Sequence, residues 1–286
     1  MKVLVIGSDG QLGLEIQKIS NSYDSLYWFF STIKTLDLSR LDTISSFLND
    51  INPSVIINCA AYTSVDKAES EPKLANTINY KAVDIISKWT SENNKKLIHV
   101  STDYVFDGLS KLPLSENSIT NPVNEYGCSK LKGEQVCLKN DANSIVIRTS
   151  WLYSSFGKNF VKTMIDLMKK NKSVKVVNDQ IGSPTYAYDL AKVILEIITK
   201  SKSKSGLFHY SNEGETSWFE FARSMREFYD LDCKIIGVSS KEFKTLAKRP
   251  KYSLLNKSKI KTTFNLEIPS YKQSLKNCIE IIKNEA

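Results

Sequence analysis

The chain has 286 residues, of which 41% are hydrophobic and 24% are charged, and its formal net charge is +8 at pH 7. This composition is ordinary for a folded globular protein and argues against disorder, and the length suits one large domain or two interleaved ones. The longest apolar runs fall far short of the roughly 18 residues that a membrane span needs, and the N-terminus lacks the apolar core of a signal peptide. We therefore expect no membrane segment and no leader.

The positive charge suggests an anionic partner, and nucleic acid, a membrane surface and phosphorylated small molecules all qualify. The densest basic stretch, 241–261, consists mostly of lysines and lacks a nucleic-acid-binding pattern. The five cysteines are odd in number and irregularly spaced, which is typical of reduced thiols in a cytoplasmic protein. The two histidines leave little for a histidine-rich metal site, and His99, in the apolar run "LIHVS", is expected to be a hydrogen-bonded core residue. We expect no nucleic-acid or membrane partner.

In the first 150 residues, short apolar runs alternate with segments of helical spacing. The predicted strands are "KVLVIG", "LYWFFST", "SVIINCAA", "KLIHVSTDYVF" and "SIVIRTSW". The predicted helices are "QLGLEIQKIS", "LDTISSFLNDI", "PKLANTINYKAVDIISKWTSEN" and "YGCSKLKGEQVCLK". Strands that alternate with helices predict an α/β fold in which a doubly wound parallel sheet of the Rossmann type carries helices on both faces.

Beyond residue 150 the alternation weakens. We predict helices at "FVKTMIDLMKK", "YAYDLAKVILEIITK", "SWFEFARSMREFYD" and "SYKQSLKNCIEIIKN", a strand at "SVKVVND", and a polar loop at "SKSKSG". The pattern indicates a smaller, mixed C-terminal lobe for substrate, interrupted by a return to the first domain. The predicted dinucleotide-binding domain comprises 1–150 and about 172–199, and the substrate lobe comprises about 151–171 and 200–286.

The first strand-helix junction carries a candidate nucleotide site. Gly7, Gly10 and Gly13 follow the first strand directly and open the first helix. Glycine allows the backbone to approach a pyrophosphate, and a helix N-terminus offers it free N–H groups and the positive end of a dipole. Such a glycine motif is weak alone but strong in this position.

The end of the second strand bears on the choice between NAD and NADP. It has no acidic residue to hold a ribose 2′-hydroxyl, and Ser31, Thr32 and Lys34 tolerate a 2′-phosphate, which favours NADP. Asp37 is placed beyond the third strand, near the adenine, although it would serve equally well as a loop aspartate.

Tyr126 and Lys130 stand four residues apart in "NEYGCSK" and so share one side of a predicted helix. A nearby ammonium favours the phenolate and lowers the pKa of a tyrosine, which would make Tyr126 a proton donor to a carbonyl oxygen. Ser101 and Thr102 lie at the carboxyl end of a predicted strand, where parallel sheets bind ligands, and their hydroxyls could bond a substrate oxygen. These separated motifs together predict a reductase site.

With these motifs in place, the chain resembles the extended short-chain dehydrogenase/reductase family and, within it, the dTDP-4-dehydrorhamnose reductases. The resemblance covers nearly the whole chain. It rests on "GSDGQLG", "LDLS", "INCAAYTSVDKAE", "NTINYKAV", "STDYVFDG", "NEYGCSKLKGEQ", "IRTSWLYSSFGKNFVKTM", "VVNDQIGSPTY" and "KRPKYSLL".

The resemblance implies a cytoplasmic enzyme that reduces the C4 keto group of a nucleotide-linked 4-keto-6-deoxyhexose, dTDP-4-dehydro-L-rhamnose to dTDP-L-rhamnose being the best match. It implies NADPH as reductant, with NADH also open. By the same resemblance, Tyr126 is the proton donor, and Lys130 lowers the pKa of Tyr126 and holds the nicotinamide ribose. Thr102 supplies the hydroxyl that orients the carbonyl. The implied cofactor residues are Gly7, Gly10, Gln11, Leu12, Gly13, Asp37, Leu38, Ala60, Ala61, Tyr62, Tyr126 and Lys130. The implied substrate residues are Val65, Asp66, Tyr104, Trp151, Asn159 and Arg249, the last two at the nucleotide diphosphate.

Simpler interpretations of several residues stay open. Trp151 also fits a core position and Arg249 a surface loop. Asn79 also fits a capping or bridging amide. Glu15 is a candidate ligand for magnesium, around which some relatives are thought to dimerise, although a first-helix glutamate is usually solvated; a homodimer is left open.

Rival functions are left open too. A sugar-nucleotide 4,6-dehydratase would have an Asp-Glu pair after its threonine, whereas Thr102 is followed by Asp103 and Tyr104. A 4-epimerase retains its NAD, which suits a NADP-tolerant strand end less well. A non-catalytic NADP-binding regulatory subunit of the same fold has no chemical need for Thr102, Tyr126 and Lys130 together.

Overall fold

The computed structural model describes residues 1–200 and 203–285. Its strands are β1 (Lys2–Ile6), β2 (Tyr27–Ser31), β3 (Val55–Asn58), β4 (Lys96–Thr102), β5 (Ile145–Thr149), β6 (Leu152–Tyr153), β7 (Ser173–Val177), β8 (Ile181–Gly182), β9 (Thr185–Tyr186), β10 (Gly206–His209), β11 (Thr216–Ser217) and β12 (Lys234–Val238). Its helices are α1 (Gln11–Ser20), α2 (Leu41–Ile51), α3 (Val65–Ala68), α4 (Pro72–Asn76), α5 (Ala82–Glu92), α6 (Glu125–Asn140), α7 (Phe160–Lys170), α8 (Ala187–Lys200), α9 (Trp218–Tyr229), α10 (Ser258–Phe264) and α11 (Tyr271–Asn284). A π-helical turn, Thr77–Lys81, joins α4 to α5, and a 3₁₀ turn, Asp103–Val105, follows β4. Ser201 and Lys202, part of the predicted polar loop, lie outside the described residues.

The central sheet has six strands in the order β10-β5-β4-β3-β1-β2, and every neighbouring pair is parallel. Apolar side chains cover both faces, as period-2 alternation within buried strands requires. Val3 and Val5 of β1 pack with α1 and α8, whereas Leu4 and Ile6 pack with α2 and α5. The predicted doubly wound α/β fold is confirmed.

The smaller lobe is built from three two-stranded pairings, β7 with β12, β6 with β9 and β8 with β11, around an aromatic core that includes Phe221. Strand membership departs from the predicted boundaries at two places. β7 pairs with β12, although 172–199 was assigned to the first domain. β10 extends the central sheet beside β5, although 200–286 was assigned to the substrate lobe. A strand was predicted for β7 but not for β10, and the partner of each lies far away in sequence.

Gly133 sets the approach of α6 to the π-helical turn. A Cβ at this position would lie 2.1 Å from the carbonyl oxygen of Asn79. Replacement of a helical glycine by alanine ordinarily stabilises a helix by about 1 kcal/mol. Here the added methyl group would collide with the backbone, and this cost exceeds the gain in helix stability. We therefore expect Gly133→Ala to lower the free energy of unfolding by about 1–3 kcal/mol.

Urea unfolding of Gly133→Ala and the wild type tests this expectation. The matched control is Gln135→Ala on the exposed face of the same helix, which we expect to change the free energy of unfolding by less than about 0.5 kcal/mol. An unchanged or raised stability of Gly133→Ala would show that α6 does not need this close approach.

Candidate active site

A cleft of about 870 Å³ lies at the carboxyl ends of β1, β3, β4 and β5, where parallel sheets bind their ligands. Most of the predicted site residues line it. They are Gly7, Gly10, Gln11, Leu12, Gly13, Asp37, Leu38, Ala60, Ala61, Val65, Thr102, Tyr104, Tyr126, Lys130, Trp151 and Asn159. Residues as far apart in sequence as Gly7 and Asn159 therefore meet in one place.

The glycine loop between β1 and α1 forms one end of the cleft. Gly7 has a φ of +77°, and a Cβ there would lie 2.7 Å from the backbone of Ala60, so only glycine fits. Within the described chain, α1 begins after Gly10 with no side-chain cap and no acidic residue in its first turn. This N-terminus leaves its N–H groups to an anion, and the loop therefore fits a dinucleotide pyrophosphate.

The end of the cleft at which the adenine was predicted to bind is lined by Ile33, Leu36, Asp37 and Leu38, which follow β2. Asp37 thus lies beyond the second strand and not beyond the third as predicted. Its carboxylate accepts a hydrogen bond from the backbone N–H of Ser39 at 2.9 Å, which shapes this turn.

Helix α6 carries the tyrosine and the lysine. Asn124 caps its N-terminus, because the side-chain oxygen accepts from the N–H of Gly127 at 2.8 Å, while the side-chain amide donates to the carbonyl of Lys248. The helix therefore starts immediately before Tyr126, and Lys130 follows one turn later on the same side. The Lys130 amino group donates to the carbonyl of Val100 at 2.6 Å.

Burial governs the ionisation of both groups. It raises the pKa of Tyr126 to about 12, against a smaller lowering effect of the Thr102 hydroxyl, and it lowers the pKa of Lys130 to about 8, with Glu134 opposing. The predicted lowering of the tyrosine pKa is therefore wrong for the protein's own residues, because the cost of burying a phenolate dominates. Tyr126 is held as a neutral phenol, the form that can donate a proton.

Thr102 stands at the end of β4 with its hydroxyl fixed on both sides. The oxygen accepts from the N–H of Tyr104 at 3.2 Å and the hydroxyl donates to Asp103 at 3.2 Å. Burial raises the pKa of the Asp103 carboxyl to about 6, although hydrogen bonds from Ser253 and Thr102 oppose it. Ser101, by contrast, turns its hydroxyl to Glu134 at 2.5 Å, so it serves the core of the fold.

Glu134, one turn after Lys130, anchors α6 to the sheet through a buried ion pair. The Arg148 guanidinium of β5 contacts both of its carboxylate oxygens, at 2.7 Å for the Nη2–Oε2 pair and 3.0 Å for Nε–Oε1. Arg148 also lies within 3.3 Å of His209 Nε2 and stacks over Phe106 at 5.0 Å. This ion pair fixes the distance of α6 from the strands, and it thereby fixes the positions of Tyr126 and Lys130, which precede Glu134 on the helix.

Aromatic side chains form the far wall. Trp151 has a φ of +48°, a strained conformation for a bulky residue, and its ring stacks on Trp218 of α9 with centroids 3.7 Å apart and planes 12° apart. Tyr104 meets Tyr126 edge-on, with centroids 5.6 Å apart. Trp151 is therefore half-buried cleft lining. Trp218 was not predicted as a site residue, because "SWFEF" shows only helical spacing and its contact with Trp151 is long-range.

Tyr62, Asp66 and Arg249 are not among the residues that line the cleft. The Tyr62 hydroxyl donates to Glu71 at 2.5 Å. The Arg249 guanidinium forks onto the Asp66 carboxylate, with Nη2 to Oδ2 at 2.7 Å, and this contact lowers the pKa of Asp66. The fork predicted for phosphate is thus engaged within the protein. Asn79 has the bridging role considered from the sequence, because its side-chain oxygen accepts from the N–H of Tyr62 and its NH₂ group donates to the Tyr62 carbonyl.

Asn159 lines the cleft but already has hydrogen-bond partners. Its side-chain oxygen accepts from Lys162 N–H at 3.1 Å, which caps α7, and its amide donates to the Ser154 carbonyl at 2.7 Å. Lys158, next to Asn159 in sequence, also lines this wall of the cleft, and it was not predicted as a site residue. Lys158 is exposed and brings an ammonium group to the cleft, in the segment "GKNF".

Glu15 is fully buried and not solvated. Its carboxylate accepts from the Ser154 hydroxyl at 2.6 Å, and burial raises its pKa. Across residues 1–200 and 203–285, no group of three or more His, Cys, Asp or Glu side chains is arranged to hold a metal ion. The residues around Glu15 therefore do not fit the magnesium site considered from the sequence.

Comparisons with a family model, with curated proteins and with solved structures all indicate the same family. Residues 1–284 match the family model described as RmlD substrate binding domain. A dTDP-4-dehydrorhamnose reductase of Aggregatibacter actinomycetemcomitans is 36% identical over 96% of this chain and 97% of its own length. The crystal structure of a dTDP-4-dehydrorhamnose reductase from Clostridium acetobutylicum has a TM-score of 0.95 at 37% identity and covers 99% of this chain and 100% of that one. The enzyme of the same name from Bacillus anthracis, in complex with NADP, has a TM-score of 0.92 at 38% identity, with 98% and 99% covered.

Proposed function

The chain belongs to the dTDP-4-dehydrorhamnose reductase family, and from that premise we propose that it reduces the C4 keto group of dTDP-4-dehydro-L-rhamnose to give dTDP-L-rhamnose. The observation that carries the proposal is the meeting of Thr102, Tyr126 and Lys130 beside the glycine loop in one cleft. The nicotinamide cofactor supplies the hydride that forms the new C4–H bond. The chain's own residues then need only to hold the sugar and to deliver one proton.

Each residue has a role that its contacts allow. Tyr126, a neutral and half-buried phenol, donates its proton to the sugar O4 as the carbonyl becomes an alcohol. Thr102, whose hydroxyl is oriented from both sides, fixes the carbonyl oxygen toward Tyr126. Lys130, held at Val100, lines the same cleft and carries the charge that favours the phenolate left behind.

The rival functions fit the site less well. Elimination by a dehydratase needs an acid and a base beside the threonine, and here the position after Asp103 is taken by Tyr104, a half-buried phenol whose pKa is raised. A regulatory subunit would not require Thr102 and Tyr126 to converge on one point of the cleft.

The decisive experiment follows NADPH oxidation by the purified protein with dTDP-4-dehydro-L-rhamnose, and it identifies the product by nuclear magnetic resonance. We expect stoichiometric formation of dTDP-L-rhamnose. Turnover of other nucleotide-linked 4-keto sugars but not of this one would move the proposal to another substrate. If NADPH binds and none of these sugars is reduced, a regulatory role would replace it.

The preference for NADPH over NADH is proposed from the end of β2. No acidic side chain is present in 31–35, a part of the chain that the structure describes, and Lys34 is exposed next to Ile33, which lines the cleft. A 2′-phosphate there would meet a positive charge. We expect Lys34→Glu to lower the ratio of kcat/KM for NADPH to that for NADH about tenfold, which corresponds to about 1.4 kcal/mol.

The matched control for this prediction is Lys172→Glu, which makes the same charge change on an exposed lysine after α7. We expect its ratio to remain within about twofold of the wild type. Equal ratios in Lys34→Glu and the wild type would locate the 2′-phosphate away from β2.

No helix in the described part of the chain is long and apolar enough to cross a membrane. The cytoplasmic location and the dTDP group of the substrate stay predictions, and a homodimer stays open. Lys158 is the exposed cation on the cleft wall, and we propose it as a contact for a diphosphate group, because Asp66 engages Arg249.

A further inference from the structure

Behind Lys130, the two buried side chains Asn58 and His99 continue a hydrogen-bonded series from its amino group, and the proposed chemistry does not use either of them. Asn58 of β3 and His99 of β4 are register partners in neighbouring parallel strands. The amide Nδ2 of Asn58 lies 3.2 Å from His99 Nδ1, and His99 Nε2 lies 3.4 Å from the amino nitrogen of Lys130. Asn58 and His99 are completely buried and Lys130 almost so, which makes the direction of each bond important.

The backbone fixes the orientation of the Asn58 amide. Its Oδ1 accepts a hydrogen bond from the N–H of Ala60 at 3.1 Å. A backbone N–H can only donate, so the oxygen of the amide must face Ala60 and its NH₂ must face His99. His99 Nδ1 is therefore the acceptor of that bond and carries a lone pair.

The proton of the neutral ring must then sit on Nε2. Burial, and after it the charge of Lys130, lowers the pKa of His99 well below its ordinary value, so the ring stays neutral. With Nδ1 occupied as an acceptor, the single ring proton is directed at Lys130.

We propose that Asn58 and His99 act as positioning residues, in which Asn58 fixes the histidine tautomer that presents an N–H, and not a lone pair, to the amino group of Lys130. This inference rests on the proposed reductase function for its consequence in catalysis. A ring N–H facing the nitrogen disfavours the ammonium and favours the neutral amine, whose lone pair can accept the bond. The carbonyl of Val100 accepts a hydrogen bond from either form and so does not distinguish them.

The other groups that face Lys130 do not remove this effect. On its own helix, Glu134 and Cys137 face it, and Cys59 faces it from the end of β3; each of these favours the charged form. Burial works against them and is the larger influence, so the pKa of Lys130 falls to about 8. The pair Asn58 and His99 acts in the same direction as burial and brings the loss of the lysine charge close to neutral pH.

The first test measures the tautomer itself, on the wild-type protein without substrate. The ¹⁵N shifts of a histidine ring distinguish a protonated nitrogen from one with a lone pair. Because the chain has only two histidines, a single variant, either His99→Gln or His209→Gln, assigns the signals. We expect His99 to carry its proton on Nε2 throughout the range of about pH 6 to 9. A proton on Nδ1, or a doubly protonated ring, would overturn the proposal.

The second test reverses the tautomer with Asn58→Asp. The carboxylate can still accept from Ala60, and its other oxygen would accept from His99 Nδ1–H, which leaves a lone pair on Nε2 for the ammonium of Lys130. We expect the ring proton to move to Nδ1 and the high-pH fall in kcat/KM to move upward by about one pH unit. A profile that moves while the proton stays on Nε2 would be an effect of the added charge alone and would overturn the proposal.

These measurements separate a failure of this inference from a failure of the proposed function. The histidine tautomer, and the titration of Lys130 followed through its ¹³Cε signal, need neither substrate nor turnover. If the keto sugar were not reduced but the Lys130 titration moved with Asn58→Asp as expected, the inference would stand without the reductase. If turnover were normal and neither the tautomer nor the titration changed, the inference would fail and the reductase would stand.

Discussion

Replacement of Tyr126 by phenylalanine is expected to abolish keto-sugar reduction, with a fall in kcat of about 10²–10⁴-fold. The reason is that Tyr126 is the neutral phenol of the cleft beside Thr102, with a pKa raised to about 12 by burial, and the variant removes the proton without changing the ring. NADPH oxidation at saturating substrate measures the loss. Binding of NADPH, followed by fluorescence, should change by less than about threefold, since the ring that contacts Tyr104 remains.

The matched control is Tyr62→Phe. Tyr62 was predicted as cofactor wall, but its hydroxyl contacts Glu71 outside the cleft, so its removal should leave kcat within about twofold. If Tyr126→Phe kept near-normal turnover, the proton would come from elsewhere and the assigned role of Tyr126 would be wrong.

Glu134→Ala is expected to cost about 3–5 kcal/mol of the free energy of unfolding, the largest stability loss that the structure predicts. The variant leaves the Arg148 guanidinium buried without its carboxylate partner and also deprives the Ser101 hydroxyl of its acceptor. Urea unfolding monitored by circular dichroism measures the change. A loss below about 1 kcal/mol would mean that water reaches Arg148 and that the pair does not anchor α6.

Two comparisons isolate the buried charge as the cause. The double variant Glu134→Leu with Arg148→Met should be more stable than Glu134→Ala, because it removes both charges and fills the space. Arg223→Ala, which breaks the exposed pair with Glu220, should cost less than about 1 kcal/mol. Equal losses in the exposed and the buried variants would contradict the explanation.

The fold could be predicted well where the information is local. The short continuous apolar run "KVLVI" and the helical spacing in "QLGLEIQKIS" are properties of neighbouring residues, and β1 and α1 form where they indicate. The partners of β7 and β10 could not be predicted in this way, because strand pairing joins residues far apart in sequence and both segments fit either sheet.

The site divides along the same line. Gly7, Gly10 and Gly13 were identifiable because the backbone requirement of a phosphate loop is written in residue type and spacing. The resemblance placed Thr102, Tyr126 and Lys130, which the structure brings to one cleft. It could not show that Asp66 engages Arg249, nor that burial dominates the pKa of Tyr126, because both depend on three-dimensional surroundings.

The stacked pair Trp151 and Trp218 gives the molecule an internal optical reporter. Trp151 follows β5 of the central sheet and Trp218 begins α9 of the smaller lobe, and the chain has four tryptophans in all. Two indoles at 3.7 Å couple their excited states, so the near-ultraviolet circular dichroism of the protein depends on how closely the lobes approach. Because both rings also line the cleft, ligands that enter it should perturb their emission, and lobe movement and ligand occupancy can be followed without attaching a dye.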